Sequence, residues 1–121
     1  MVPKIFESEY RFCEILWENE PISSSELAKL CNSRLEWKKS TTYTVIKRLT
    51  ERGVIRSENA IVTSLVSREE VQAQESADIV DKNFNGSLPA FITAFTKRKN
   101  LSIREIEEIQ QIIDRYKEQK K

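Results

Sequence analysis

Apolar residues recur at helical spacing along residues 8–18, at Tyr10, Cys13, Ile15 (or Leu16) and Trp17, and Pro21 closes that helix. A capping box, Ser23 with Glu26, opens a short second helix with Leu27, Leu30 and Cys31 as its apolar side; Asn32-Ser33 ends it. Ser40 opens a third helix, Thr41 to Arg52. Thr42, Val45, Ile46 and Leu49 form one face at i, i+3, i+4, i+7 spacing, and Gly53 takes the position after the helix end. The opposite face offers Thr41, Tyr43, Thr44, Lys47 and Arg48. Thr41, Thr42, Thr44 and Val45 are β-branched, so packing must hold this helix, and its exposed threonines suit contact better than helicity.

Two strand-like runs follow, Val54-Ile55-Arg56 and Ile61-Val62-Thr63, with Ser57-Glu58-Asn59-Ala60 between them, and predict a small hairpin. Three helices and then a hairpin is the order of a winged helix-turn-helix. From Ser67 the pattern changes. A second capping box, Ser67 with Glu70, opens a helix to about Lys82, and Asn85-Gly86-Ser87 breaks it. Pro89 sits in the first turn of a helix lasting to about Lys99. Ser102 and Glu105 form a third box. The last helix then runs towards Lys117 with Ile103, Ile106, Ile109, Ile113 and Tyr116 on one stripe. The predicted fold is mainly α: a winged helix-turn-helix domain over residues 1–66, then a helical dimerisation domain over residues 67–121. So small a helical half can hardly bury a core of its own, and its isoleucine stripe needs a partner surface. An intertwined homodimer is the favoured partner; folding back on its own chain is the alternative.

Composition narrows the chemistry. The chain has 121 residues, room for one ordinary domain or two very small ones. Its 2 Gly and 3 Pro favour long helices over a loop-rich or all-β chain. No apolar run is long enough to span a bilayer, and the opening MVPKIFESEY lacks a signal-peptide core, so a cytoplasmic protein without membrane insertion is expected. The absence of His removes Ser-His-Asp and Cys-His catalysis and His metal sites. Cys13 and Cys31 fit no CxxC pattern and read as reduced, buried and inert, with a single disulfide as the alternative. No phosphate loop, metal-ligand cluster or paired-carboxylate signature occurs. No catalytic residue, metal or cofactor is therefore expected.

Net charge is only +1, but its distribution is uneven. From Arg34 to Arg56 stand seven bases (Arg34, Lys38, Lys39, Lys47, Arg48, Arg52 and Arg56) and two acids (Glu36 and Glu51), so the stretch carries 7 − 2 = +5. That island is either a polyanion-binding face or a solvated helix surface. The residues in it favour the first. A helix N-terminus presents free N–H groups to a phosphate, lysines flank it, and Ser, Thr and Tyr side chains can meet base edges. Trp37 reads as packed on the helix bundle, with base stacking as the alternative.

The block Glu36-Trp37-Lys38-Lys39-Ser40-Thr41-Thr42-Tyr43-Thr44-Val45-Ile46-Lys47-Arg48-Leu49-Thr50-Glu51-Arg52-Gly53 resembles the recognition-helix region of the penicillinase repressor family (BlaI/MecI-like, with its copper-responsive CopY-like members). The resemblance extends through Cys13-Glu14-Ile15-Leu16-Trp17-Glu18, Pro21–Leu27 and Leu65–Glu70. It resumes at Asn85-Gly86-Ser87-Leu88, Ala94-Phe95 and Leu101–Ile109, in colinear order.

This resemblance implies a dimeric repressor on an inverted-repeat operator in double-stranded DNA, controlling genes of antibiotic resistance or cell-wall stress. Thr41, Tyr43, Thr44 and Lys47 would face the major groove. Lys38, Lys39 and Arg48 would reach the backbone, with Ser40 and Arg56 also among the DNA-binding residues. It also implies relief by a sensor-linked protease that cuts before a phenylalanine, here at Ala94-Phe95; alternatively these two residues simply pack in the dimer core. Two departures stand out. The wing is short, with Arg56 its one base, and the C-terminal residues lack the cysteines of copper-responsive members, which disfavours metal sensing. Family members often carry Asn where this chain has Ala94. The rival from another class is a protein-interaction adaptor that keeps the fold without operator binding.

Overall fold

The computed structural model describes residues 2–121. Six helices and three strands follow in the order α1 (Glu7–Asn19), β1 (Ile22–Ser23), α2 (Ser24–Leu35), α3 (Lys39–Glu51), β2 (Ile55–Glu58), β3 (Ile61–Ser64), α4 (Arg68–Phe84), α5 (Leu88–Arg98) and α6 (Ile103–Gln119). The chain forms two compact units, one ending at Ser76 and one from Ala77 to Lys121, with α4 passing from the first to the second. The mainly α winged-helix architecture followed by helices is the one the sequence pattern predicts.

Among the described residues, the continuous core lies in the first unit. Phe12 and Leu16 of α1, Leu27 of α2, Leu49 of α3, and Val54 and Val62 around the hairpin are completely buried. At ~1.5–3 kcal/mol for each fully buried large aliphatic or aromatic side chain, this apolar centre holds a β-branched helix such as α3 in place. Trp37 stacks on Phe12, ring centroids 6.2 Å apart, so it packs on the bundle. Val71, in the first turns of α4, is also buried in this core.

The strands form one antiparallel sheet in the order β1-β3-β2. Ile55 pairs with Ser64, Arg56 with Thr63, and Glu58 with Ile61. The turn between them is Asn59-Ala60 alone, both residues at positive φ (52° and 61°), the backbone that a two-residue hairpin of matching twist requires. Three contacts fix the hairpin to the helices. Ser24 N–H donates to the Ala60 carbonyl at 2.8 Å. The Glu20 carboxylate accepts from Ser64 N–H at 2.7 Å and from its hydroxyl. Trp17 Nε1 donates to the Val66 carbonyl at 3.0 Å.

The structure corrects several boundaries. α2 continues past Asn32-Ser33 to Leu35 because Glu36 takes the left-handed conformation (φ 58°) and ends it there. α3 starts two residues earlier than expected, at Lys39 with Lys38 at its N-cap, and ends at Glu51 with Arg52 at its C-cap. The box at Ser23 is half made: Ser23 Oγ accepts from Glu26 N–H, but the Glu26 carboxylate pairs with Lys29. The boxes at Ser67 and Ser102 are complete.

In the second unit, Phe84, Phe91 and Phe95 form a run of ring contacts, at 5.5 Å and 6.1 Å between centroids. No residue from Ala77 to Lys121 is buried. Ile103, Ile106, Ile113 and Tyr116 are exposed along α6, together with Ile112, and Ile109 is half-buried.

Candidate nucleic-acid interface

α3 divides cleanly. Thr42, Val45, Ile46 and Leu49 turn into the core, while Ser40, Thr41, Tyr43, Thr44, Lys47 and Arg48 are exposed. Sequence periodicity predicts both faces correctly, because a helix with four positions locked inside has no freedom to rotate.

The start of α3 differs from that of its neighbours. Ser23, Ser87 and Ser102 each cap a helix with a side-chain oxygen. Lys38, at the N-cap of α3, supplies none. Thr41 and Thr42 N–H turn back to the Lys38 carbonyl, at 3.0 and 3.2 Å, which leaves the Lys39 and Ser40 N–H groups for an external acceptor, and the helix dipole favours an anion there.

Side-chain geometry along the face is partly set in advance. The Lys39 ammonium lies 5.9 Å from the centre of the Tyr43 ring. Thr44 Oγ1 donates to the Ser40 carbonyl at 2.9 Å. Its hydroxyl proton is therefore engaged, and Thr44 presents acceptor lone pairs and a methyl group outward, suited to a base amino group or a thymine methyl.

The basic island is sorted by pairing. Arg34 bonds Glu18 at 3.0 Å, Arg52 bonds Glu9, and Arg56 Nε bonds Glu58 at 2.9 Å. Of the island's seven bases, 7 − 3 = 4 remain: Lys38, Lys39, Lys47 and Arg48. All four border the exposed face of α3, and none makes an ion pair among the described residues.

Two relationships are not legible in the sequence pattern. By sequence, Glu9 is one of several acids of the first helix. In the fold it is buried, accepting from Arg52 and from Phe6 N–H. Glu58 falls in the expected loop by sequence, but it lies on β2 two positions from Arg56. That spacing on a strand is the available signal.

No group of three or more His, Cys, Asp or Glu among the described residues could hold a metal ion. Cys13 and Cys31 are free and buried, and burial pushes the Cys13 thiol up to about 12, far from the thiolate. No helix among the described residues is long and apolar enough to cross a membrane.

Three helices, a short closing strand and a hairpin, with an uncapped and cationic third helix, define a winged helix-turn-helix. The penicillinase repressor family profile matches residues 5–115. The chain is 23% identical to the penicillinase repressor of Bacillus licheniformis, over 99% of this chain and 97% of that one. It is 26% identical to the methicillin resistance regulatory protein MecI of Staphylococcus aureus (strain Mu50 / ATCC 700699), covering 93% and 94%. The form of that protein from Mammaliicoccus sciuri matches at 25%, covering the same shares. The chain belongs to the penicillinase repressor family: it is a transcriptional repressor and not an enzyme.

Proposed function

We propose that this repressor works as a homodimer on an inverted-repeat operator, with α3 of each copy in the major groove. Residues 1–66 bind DNA and residues 67–121 hold the copies together. Thr41, Tyr43, Thr44 and Lys47 face the bases; Lys38, Lys39, Ser40 and Arg48 engage phosphates. The observation that carries this reading is the set of four unpaired bases around an uncapped helix start. Phosphate contacts give affinity and register, and the threonine-rich face gives the sequence readout.

The unburied second unit supports the dimer. Exposed Ile106, Ile113 and Tyr116 on one helix would find in a second copy the apolar cover that a single copy lacks. The names of the relatives, a penicillinase repressor and a methicillin resistance regulatory protein, support target genes of antibiotic resistance; a wider set in cell-wall stress and a cytoplasmic setting complete the reading.

Release follows from the same architecture. Cleavage between Ala94 and Phe95 by a sensor-linked protease would detach α6 and end the linkage between half-sites, with its gain of about 10²–10⁴ in effective affinity. Both residues are exposed, but they lie inside α5, where Phe95 O accepts from Lys99 N–H at 3.0 Å. The last turns must open before a protease can grip the bond.

Sequencing the DNA that co-purifies with the full chain tests the reading. Recovery of one two-fold motif upstream of a few genes is expected. Random fragments would favour the adaptor reading, which draws on a wing whose one base is already paired. Weighing the intracellular protein by mass spectrometry after a cell-wall antibiotic tests the release step: a fragment ending at Ala94 is expected, and intact repressor with the target gene switched on contradicts it.

A further inference from the structure

Between Gly53 and Val66 the chain has two charged side chains, Arg56 and Glu58. Both belong to β2, two residues apart, so they project from one face of the hairpin. On that face Arg56 Nε donates to Glu58 Oε1 at 2.9 Å, while the two side chains stay 61% and 65% exposed. Their cross-strand partners, Thr63 and Ile61, are uncharged. The whole charge of the wing is one internal ion pair, with a sum of zero.

An ion pair this exposed adds little to stability, and the hairpin is held by other means. Its turn is bonded to Ser24, and Ser64 is bonded to Glu20. The first of these bonds fixes the wing to the start of α2, so Arg56 rides on a platform rigidly placed beside the helix-turn-helix.

We infer that Glu58 limits the affinity of the wing for the phosphate backbone of duplex DNA, by occupying the one guanidinium that could reach it. This limit rests on the DNA-binding reading above. Its consequence is that recognition is left to α3, and sequence-independent affinity from the wing does not dilute it. Glu58 is thus a specificity-determining residue that never touches a base.

The test uses the full chain and a duplex selected from co-purified DNA. Binding is followed by fluorescence anisotropy between about 50 and 200 mM salt for the wild type, E58Q, R56Q and the double variant. E58Q is expected to bind more tightly at low salt. Its log K against log salt should steepen by about 0.9 for each additional phosphate neutralised, so that its advantage shrinks about threefold per phosphate over that range. R56Q leaves Glu58 uncompensated and should bind somewhat more weakly than the wild type, and the double variant, with the wing again neutral, should return to wild-type affinity without exceeding it. A merely structural role for the pair would leave the salt slope unchanged. E58Q with wild-type affinity and slope overturns the inference, as does a double variant that binds more tightly than the wild type, which would mark a bare loss of negative charge. A wild-type chain with no salt-dependent affinity for any duplex removes the DNA-binding reading itself, and the inference with it.

Discussion

Glu9, buried near the start of α1, is held by Arg52 at the end of α3, so one ion pair joins the helix that opens the fold to the helix that faces outward. Burial by itself would raise the Glu9 carboxyl. Hydrogen bonds from Arg52 and from Phe6 N–H, with the charges of Arg52 and Arg48, outweigh it and hold the group below its usual 4.5. A carboxyl depressed in the folded state binds fewer protons there than in the unfolded chain. Its stabilisation is therefore complete above about pH 4.5 and is lost as pH falls through the folded value.

Replacing Arg52 by Met leaves that carboxylate buried and unpaired, at a cost of ~3 kcal/mol near neutral pH. Urea unfolding should show the difference between R52M and wild type narrowing as pH falls, because the unpaired Glu9 takes up its proton at a higher pH than the paired one. A gap that stays constant with pH would show that Arg52 acts through packing alone.

Ala60 sits in the left-handed region with no glycine's freedom to do so, at φ 61°. The strain is ~1–2 kcal/mol for a residue with a Cβ, offset in part by the extra entropy that glycine loses on folding. A60G should therefore raise stability by ~0.5–1 kcal/mol, read as a higher urea midpoint with an unchanged m-value. A lower midpoint would mean that the Ala60 methyl makes contacts worth more than the strain.

Such features explain what the sequence could and could not tell. Helix faces were legible because four inward positions fix the rotation of α3 against the core. The end of α2 was not, because Glu36 carries the left-handed turn that Gly or Asn usually signals. β1 was not, because two residues become a strand only by pairing with β3, far along the chain, as Ile22 does with Val62. The pairing of Glu9 with Arg52 spans 43 residues, and no local pattern announces it. Charge counting identified the basic island, but only the ion pairs show which four bases remain available.

Thr44 and Lys47 both face the bases in the proposed complex. T44V keeps the methyl and removes the acceptor, so it should cost ~1–3 kcal/mol on the preferred operator and relax preference at one base pair. K47A should cost a similar amount if it meets a base. If it meets a phosphate, it should weaken all sequences alike and lower the salt slope by about 1. Competition assays with single-base variants of the duplex separate the two.

Ile109 is half-buried in a single copy, with Ile106 and Ile113 exposed beside it. I109D would set a carboxylate in the shared apolar surface of the proposed dimer. Sedimentation should find monomers at micromolar concentration, with the melting of the first unit retained. A dimer that persists would mean that the α6 stripe packs within its own chain.

The most direct test of DNA reading by α3 is the affinity of the full chain for the selected duplex against a scrambled one of equal length, measured across salt. The account predicts a preference of about 10³-fold or more, with total affinity falling by about three to five decades between low and moderate salt if ~6–10 phosphates are contacted. Equal affinity for both duplexes, or binding indifferent to salt, would contradict it.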